Sequence, residues 1–338
     1  MKELIQRLVD GQSLSREDSH SALSMIMNGE ATDAQIAAFL TALRLQGESA
    51  DIIAGAAQAM REAFTPVAST RSDAVDTCGT GGDGLHTFNI STTAAFITAG
   101  AGVPVAKHGN RGVSSPSGSA DVLKELGVDI SIPASAMSRC LDEVGIAFLF
   151  APSLHPAMKH AIGPRREIGI RTLFNVLGPL SNPASTRRGI LGVYSASLVE
   201  LLAHALADLG AEHMFVVHGE DGLDEISICA PTQVGEVKKG EVKLYTLTPE
   251  ELGLERRSLE ELRGGNPVEN ARITRELLEG RGDEAKRDIA LLNAAAAICS
   301  SGKAADLPSA LVAARESVNS GAALAKLEAL IAASSAEG

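Results

Sequence analysis

Through the first 65 residues the apolar positions recur at helical spacing, and no strand-like run interrupts them. Ser15 with Asp18 and Thr32 with Gln35 read as helix-start capping pairs. Gly29 and Gly47 stand where helices should stop, and Pro66 closes the segment. From Ala74 onward, short apolar runs alternate with helical stretches: AVDTC, a glycine-rich turn and a helix, VPVAKHG, a helix from about Ser119, IAFLF, GILGVY, a helix across Leu198 to Leu209, and HMFVVHG. That alternation predicts an α/β unit around a mostly parallel sheet, because parallel neighbours need helical crossovers. QVGEVKKGEVKLYTL predicts a hairpin turning at Lys239-Gly240, and the chain beyond Pro267 returns to helices. The organisation expected is a small all-helical domain over 1–70, joined in space by part of 163–185, and a larger α/β domain over 71–338.

Composition narrows this picture. The 338 residues are 45% hydrophobic but only 3% aromatic, with no Trp, so the core must be built from Ala, Leu, Ile and Val. A formal net charge of -12 means that a nucleic-acid surface would work against the global field, and a small anionic substrate needs a local cationic pocket or a metal. Cys78, Cys140, Cys229 and Cys299 are far apart and form no C-x-x-C pair, which suits reduced thiols in a cytoplasmic protein. MKELIQRLVDG reads as an amphipathic helix start, and no apolar run reaches the roughly 20 residues that span a bilayer. Neither a nucleic-acid nor a membrane partner is expected.

The densest chemistry lies in DTCGTGGDGLHTFNISTT, Asp76 to Thr93. Gly79, Gly81, Gly82 and Gly84 allow conformations closed to residues with a Cβ, so peptide N–H groups can converge on an anion. Ser91, Thr92 and Thr93 stand where a helix should begin, and a helix start with free N–H groups and hydroxyl caps favours phosphate. No Gly-Lys-Ser/Thr closes the loop, which removes the ATPase reading. Asp83 would repel a close phosphate unless a cation or a ribose hydroxyl lay between them, so a phosphorylated sugar fits better than a nucleoside triphosphate. The plainer alternative is a glycine-rich strand-to-helix connection, against which Asn89-Ile90-Ser91-Thr92 weighs.

Three further segments carry chemistry. KHGNRGVSSPSGS, Lys107 to Ser119, follows an apolar strand and should face the same crevice, since ligands of open α/β sheets bind beyond the carboxyl ends of strands. Lys107 offers a point charge to phosphate, Asn110 can pair with a neutral polar ring substituent, and the serines add donors; the plainer reading is a solvated basic loop. LHPAMKHAIGPRREIGIRTLFNVLGPLSNP gathers Arg165, Arg166 and Arg171, which cannot all be core, and an arginine there can hold a substrate carboxylate through two parallel hydrogen bonds. His155 and His160 read as satisfied surface or hinge residues. Asp224 and Glu225 lie just beyond MFVVHG. Adjacent carboxylates on an extended segment point to opposite sides, so they would meet two metal ions, or one ion and its waters. Oxygen donors with few protein contacts suit Mg²⁺ held mainly by substrate phosphates, against the alternative of a solvated acidic turn.

In order and spacing, GTGGDG with NIST, KHGNRGVSSPSGSAD, GPRREIGIRTLFNVLGPLSNP and HGEDGLDE resemble the anthranilate phosphoribosyltransferase family over nearly the whole chain. The resemblance implies a helical domain hinged to a larger α/β domain of the nucleoside-phosphorylase type, a homodimer through the helical domains, and transfer of phosphoribosyl from phosphoribosyl pyrophosphate to anthranilate in tryptophan biosynthesis. Carried over by motif, Gly79, Gly82, Asp83, Thr87, Asn89, Ile90, Ser91 and Thr92 would hold the sugar diphosphate. Lys107, His108, Gly109, Asn110, Arg111, Gly112, Val113, Ser114, Ser115 and Ser119 would close over it. Gly79, Asn110 and Arg165 match the anthranilate site, while Ser91, Asp224 and Glu225 match Mg²⁺ ligands, with two ions per protomer. His86 and Cys78 carry no assigned role.

The chemistry implied is electrostatic and positional. Breaking the bond from C1 to pyrophosphate leaves positive charge on the ribose and negative charge on the leaving group, so Mg²⁺ and Lys107 should stabilise the latter and Arg165 should orient the acceptor. An aromatic amine is neutral at neutral pH and needs no strong base. Two rivals share the fold. A pyrimidine-nucleoside phosphorylase would need an extra C-terminal domain for which this chain is short, and a nucleic-acid-binding paralogue should lack the acids of DGLDE.

Overall fold

The computed structural model describes residues 1–112 and 116–336. Helices Lys2–Val9, Arg16–Met27, Asp33–Gln46 and Ala50–Glu62 form the N-terminal bundle. Both expected capping boxes are made: Ser15 accepts the Asp18 N–H, Thr32 accepts the Gln35 N–H, and each partner side chain returns a bond to the cap. These bonds satisfy donors that a helix start leaves open. Two later helices, Lys159–Ile168 and Phe174–Leu177, pack onto the bundle from far along the chain.

Seven strands form one sheet: β1 (Val75–Asp76), β2 (Val105–Gly109), β3 (Ile146–Phe150), β4 (Arg188–Gly192), β5 (His213–Gly219), β6 (Thr232–Lys238) and β7 (Glu241–Leu247), in the order β3-β2-β1-β4-β5-β6-β7. The first five are parallel, and β6 and β7 add an antiparallel hairpin at one edge. Lys239 and Gly240 turn that hairpin at φ 53° and 83°, the positive pair that matches strand twist. β1 is shorter than AVDTC suggested, because the chain leaves the sheet after Asp76 to enter the glycine turn.

Alternate residues of the central strands feed two cores, as a period of two requires. Ile190, Phe215 and Val217 pack with the C-terminal helices and with Ile90–Gly100, whose close approach to Glu284–Ser301 is permitted by Ala294 to Ala297. Leu191, Met214 and Val216 pack on the other side with helix Ser197–Asp208, and this core runs on without a break into Leu23, Phe39 and Ile53 of the bundle. The sheet winds one way from β1 to β3 and the other way from β4 to β5. Such a reversal opens a crevice at the carboxyl ends of β1 and β4. Among the described residues, no helix is long and apolar enough to cross a membrane.

Candidate active site

The glycine turn fills that crevice and is fastened to its other wall. Gly81 and Gly82 adopt φ 64° and 83°, where a side chain would be strained. Gly79 serves close approach instead, since a Cβ there would stand 2.9 Å from Asp224 Oδ2. Thr80 N–H donates to the Gly192 carbonyl at 2.8 Å, Tyr194 N–H to Thr80 Oγ1 at 3.1 Å, and Gly81 N–H to Asp224 Oδ2 at 2.8 Å. The turn is thereby hydrogen-bonded to the exit of β4 and to the loop after β5.

Acidic side chains crowd around it. Asp83 accepts the Leu85 N–H at 3.2 Å and brings its charge against Asp224. Burial, then the charge of Asp83, pushes the Asp224 carboxyl up to about 7. Burial, then Asp224, raises Glu225 well above the usual carboxylate range, while the Ser91 N–H at the start of Ile90–Gly100 pulls it down. The adjacent pair splits between Gly81 and Ser91 but stays electrostatically joined. Oxygen donors carrying more negative charge than their surroundings neutralise fit a hard divalent cation.

Lys107 is a cation whose charge acts on Glu225, and it lies beneath the cradle. Its buried ammonium donates to Thr77 O at 3.0 Å and to Thr77 Oγ1 and Ser91 Oγ at 3.3 Å, with its charge acting on Asp76 and Glu225. All three protons have partners, so it supports the cradle in this structure rather than projecting toward a phosphate. The helix above it starts at Ile90, one residue before the expected hydroxyls, and Asn89 at the cap position makes no side-chain cap. Asn89 instead donates to Ser117 O at 3.2 Å and accepts from Asn270 Nδ2 at 2.9 Å. The Ile90 side chain packs in the core, and its N–H donates to Phe88 O at 2.8 Å. Thr92 Oγ1, in the first helical turn, is buried without a hydrogen-bond partner among the described residues, and Thr87 bridges to Arg263. A buried hydroxyl left open beside an anion cradle is what a ligand would satisfy.

The loop after β2 has a closed neck. Gly112 and Gly118 N–H groups both donate to Asp121 Oδ2 at 2.9 Å, and the Asn110 carbonyl accepts from Ser119 Oγ at 3.2 Å. Asn110 Oδ1 accepts the Arg111 N–H at 2.7 Å, and Arg111 lies 5.8 Å from the centroid of the Phe150 ring. Val113, Ser114 and Ser115, expected at the loop tip, lie outside the described residues.

His108 is held inside the fold. Its buried ring bonds Gly178 O through Nδ1 and His155 Nε2 through Nε2, each at 3.1 Å. A carbonyl only accepts, so Nδ1 carries the proton and Nε2 accepts from His155. His155 is buried rather than on the surface, and His160 packs beside Gly29. Burial pushes His108 down to about 3 and His155 down to about 4. Asp76, Cys78 and His108 bring ligand atoms within 4.8 Å of one another. They form no open metal site, because Asp76 already accepts His108 N–H at 3.1 Å and Asn182 Nδ2 at 2.7 Å, and both His108 nitrogens are engaged.

Arg165, half-buried, rests 5.1 Å from the centroid of the Phe174 ring, and burial lowers its pKa with no carboxylate paired to it among the described residues. Buried amides missed by sequence reasoning hold the rest. Asn293 accepts the Ile226 N–H at 2.9 Å and donates to Ile226 O at 3.0 Å, gripping the backbone next to Glu225. A lone amide in the apolar run LLNAAAAIC was the available signal.

Asn293→Leu should leave both Ile226 backbone groups buried and unpaired, lowering stability in urea by roughly 2–5 kcal/mol and speeding hydrogen exchange at Ile226. An unchanged exchange rate contradicts the clamp. For His155, the unfolded chain takes a proton that the folded protein refuses, so stability falls as pH drops from about 6.5 toward about 4. His155→Gln keeps a donor for His108 and should flatten that slope by up to about one proton; equal slopes contradict the buried neutral pair.

The glycosyl transferase family, a/b domain, matches residues 71–324, and the helical bundle domain of that family matches residues 2–64. An anthranilate phosphoribosyltransferase of Moorella thermoacetica is 54% identical over 332 residues, covering 98% of each chain. The crystal structure of the anthranilate phosphoribosyltransferase from Thermus thermophilus is similar at TM-score 0.93 and 43% identity, covering 98% of this chain and 99% of that one. The Saccharomyces cerevisiae anthranilate phosphoribosyltransferase in complex with PRPP and Mg is similar at TM-score 0.90 and 34% identity, covering 99% and 97%.

Proposed function

We propose a division of labour among these residues from one premise: the chain belongs to the anthranilate phosphoribosyltransferase family, and transfers the phosphoribosyl group of phosphoribosyl pyrophosphate to anthranilate with release of pyrophosphate. The observation that carries the assignment of roles is the under-neutralised set Asp83, Asp224 and Glu225 around a glycine turn at the sheet reversal. N–H groups of Gly79 to Gly84, the first turn of Ile90–Gly100 and the open Thr92 hydroxyl receive the sugar diphosphate. Asp224, Glu225 and Ser91 hold Mg²⁺, two ions per protomer. When bound, the metal offsets negative charge on the departing pyrophosphate. Lys107 adds a fixed positive charge beneath Ser91.

Arg165 takes the anthranilate carboxylate, because a half-desolvated guanidinium without an ion-pair partner presents two parallel donors. Gly79 and Asn110 flank the acceptor. No general base is assigned: both His108 nitrogens are engaged, and burial pushes the Cys78 thiol up, leaving it protonated. Rate enhancement comes from placing the neutral amine against C1 while the leaving group is stabilised. We further propose a cytoplasmic homodimer serving tryptophan biosynthesis, with exposed Val9 and Leu45 of the bundle, 69% and 84% accessible, as apolar contact surface.

Arg165→Ala should raise the anthranilate KM about 10- to 100-fold, the worth of charge-assisted hydrogen bonds, with little change in the KM of phosphoribosyl pyrophosphate. Loss of anthranilate fluorescence measures this, and an unchanged kcat/KM for anthranilate contradicts the role. Asp224→Ala combined with Glu225→Ala should reduce Mg²⁺-dependent turnover by at least about 100-fold. Retained wild-type turnover would sink the metal assignment.

A further inference from the structure

Arg171 is absent from the roles above, yet it touches both halves of the site. It lies in the loop between Lys159–Ile168, which carries Arg165, and Phe174–Leu177, both packed on the bundle. Its Nη2 donates to the Gly82 carbonyl at 2.5 Å, and its Cζ stands 4.1 Å from the centroid of the Tyr194 ring. Tyr194 is tied in turn to Thr80 of the glycine turn, at 3.1 Å. One exposed guanidinium thus joins the acceptor-side segment, the glycine turn and the exit of β4.

The fit is specific. A Cβ on Gly82 would lie 3.3 Å from Arg171 Nη2, and Gly82 holds φ 83°, so turn and arginine are matched in shape. Among the described residues no carboxylate pairs with Arg171; its partners are a peptide dipole and a ring face. A planar guanidinium satisfies both at once, which an ammonium does not. The segment from Arg165 to Phe174 holds one cation–ring contact within itself, Arg165 on Phe174, and makes one to the exit of β4, Arg171 on Tyr194. An anion resting on the turn makes the potential at Gly82 more negative and strengthens the hold on Arg171.

We propose that Arg171 couples the two substrate pockets: occupancy of the diphosphate turn tightens the acceptor site through this residue, and the acceptor tightens the diphosphate site by the same factor. This rests on the functional reading above. Arg171 is a positioning residue and touches no reacting atom.

The test is a fluorescence titration with anthranilate, with and without pyrophosphate plus Mg²⁺, a pair that fills the turn without turnover. In the wild type, pyrophosphate should tighten anthranilate about tenfold, within the usual range of coupling between sites. In Arg171→Ala each ligand alone should bind within about twofold of wild type, while the coupling factor falls to about one. Arg171→Lys, which keeps a donor for Gly82 but loses the planar stack, should give an intermediate factor, and Tyr194→Phe should keep the wild-type one. A purely structural role would weaken both single-ligand affinities and leave their ratio unchanged. Wild-type coupling in Arg171→Ala, or no coupling in the wild type, overturns the proposal. Failure of the functional reading would look different: the wild type would bind neither ligand and form no phosphoribosylated product.

Discussion

Negative charge packed beside a glycine turn is the constraint on which the rest of this structure depends. Burial and the charge of Asp83 raise the proton affinity of Asp224, burial and the charge of Asp224 raise that of Glu225, and Lys107, whose charge acts on Glu225, also acts on buried Asp76. Like charges held together in partly desolvated surroundings must protonate, separate, or receive a counter-charge. The scaffold prevents separation: the Gly81 N–H holds Asp224, the Ser91 N–H acts on Glu225, and Asn293 grips Ile226 behind them. On the proposed reading, a divalent cation arriving with a sugar diphosphate would resolve the conflict, and the same charge would then stabilise the leaving group. On that reading, crowded negative charge becomes selectivity for a metal-bearing anion.

Everything around that cluster fixes position. The short β1 places the turn at the reversal of the sheet, and Gly192 must be glycine because a Cβ there would fall 1.6 Å from the Asp224 carbonyl oxygen. Buried amides do the work that regular hydrogen bonding cannot do at strand ends: Asn182 spans Asp76 and Ala106, and Asn270 braces Asn89. The helical bundle is no loose appendage, since its core continues into one face of the sheet. Arg171 thereby reaches the Gly82 carbonyl from a segment anchored on the bundle side, the same segment that carries Arg165.

The helices, the parallel sheet and the hairpin were legible because each rests on local signals: capping pairs, period-two apolar runs and the Lys239-Gly240 turn. The glycine turn and the acid pair were legible for the same reason, as contiguous residues with distinctive chemistry. What escaped depends on contacts between distant positions. His108 and His155 are 47 residues apart, and nothing local shows that one orients the other. Asn89 and Ile90 sit inside the recognisable motif, yet long-range packing commits the first to Asn270 and the second to the core. The sequence shows Lys107 only as a charge beside a loop, since its burial under Thr77 and Ser91 is a property of the assembled crevice.

The central claim is that the acid cluster is completed by metal and sugar diphosphate together. Calorimetric titration of phosphoribosyl pyrophosphate into the protein, once with Mg²⁺ and once with a chelator, tests it most directly. Binding should be tight with Mg²⁺ and weaker by at least about 100-fold without it, because the uncompensated carboxylates then face an uncompensated diphosphate. Equal affinity under the two conditions would contradict the account.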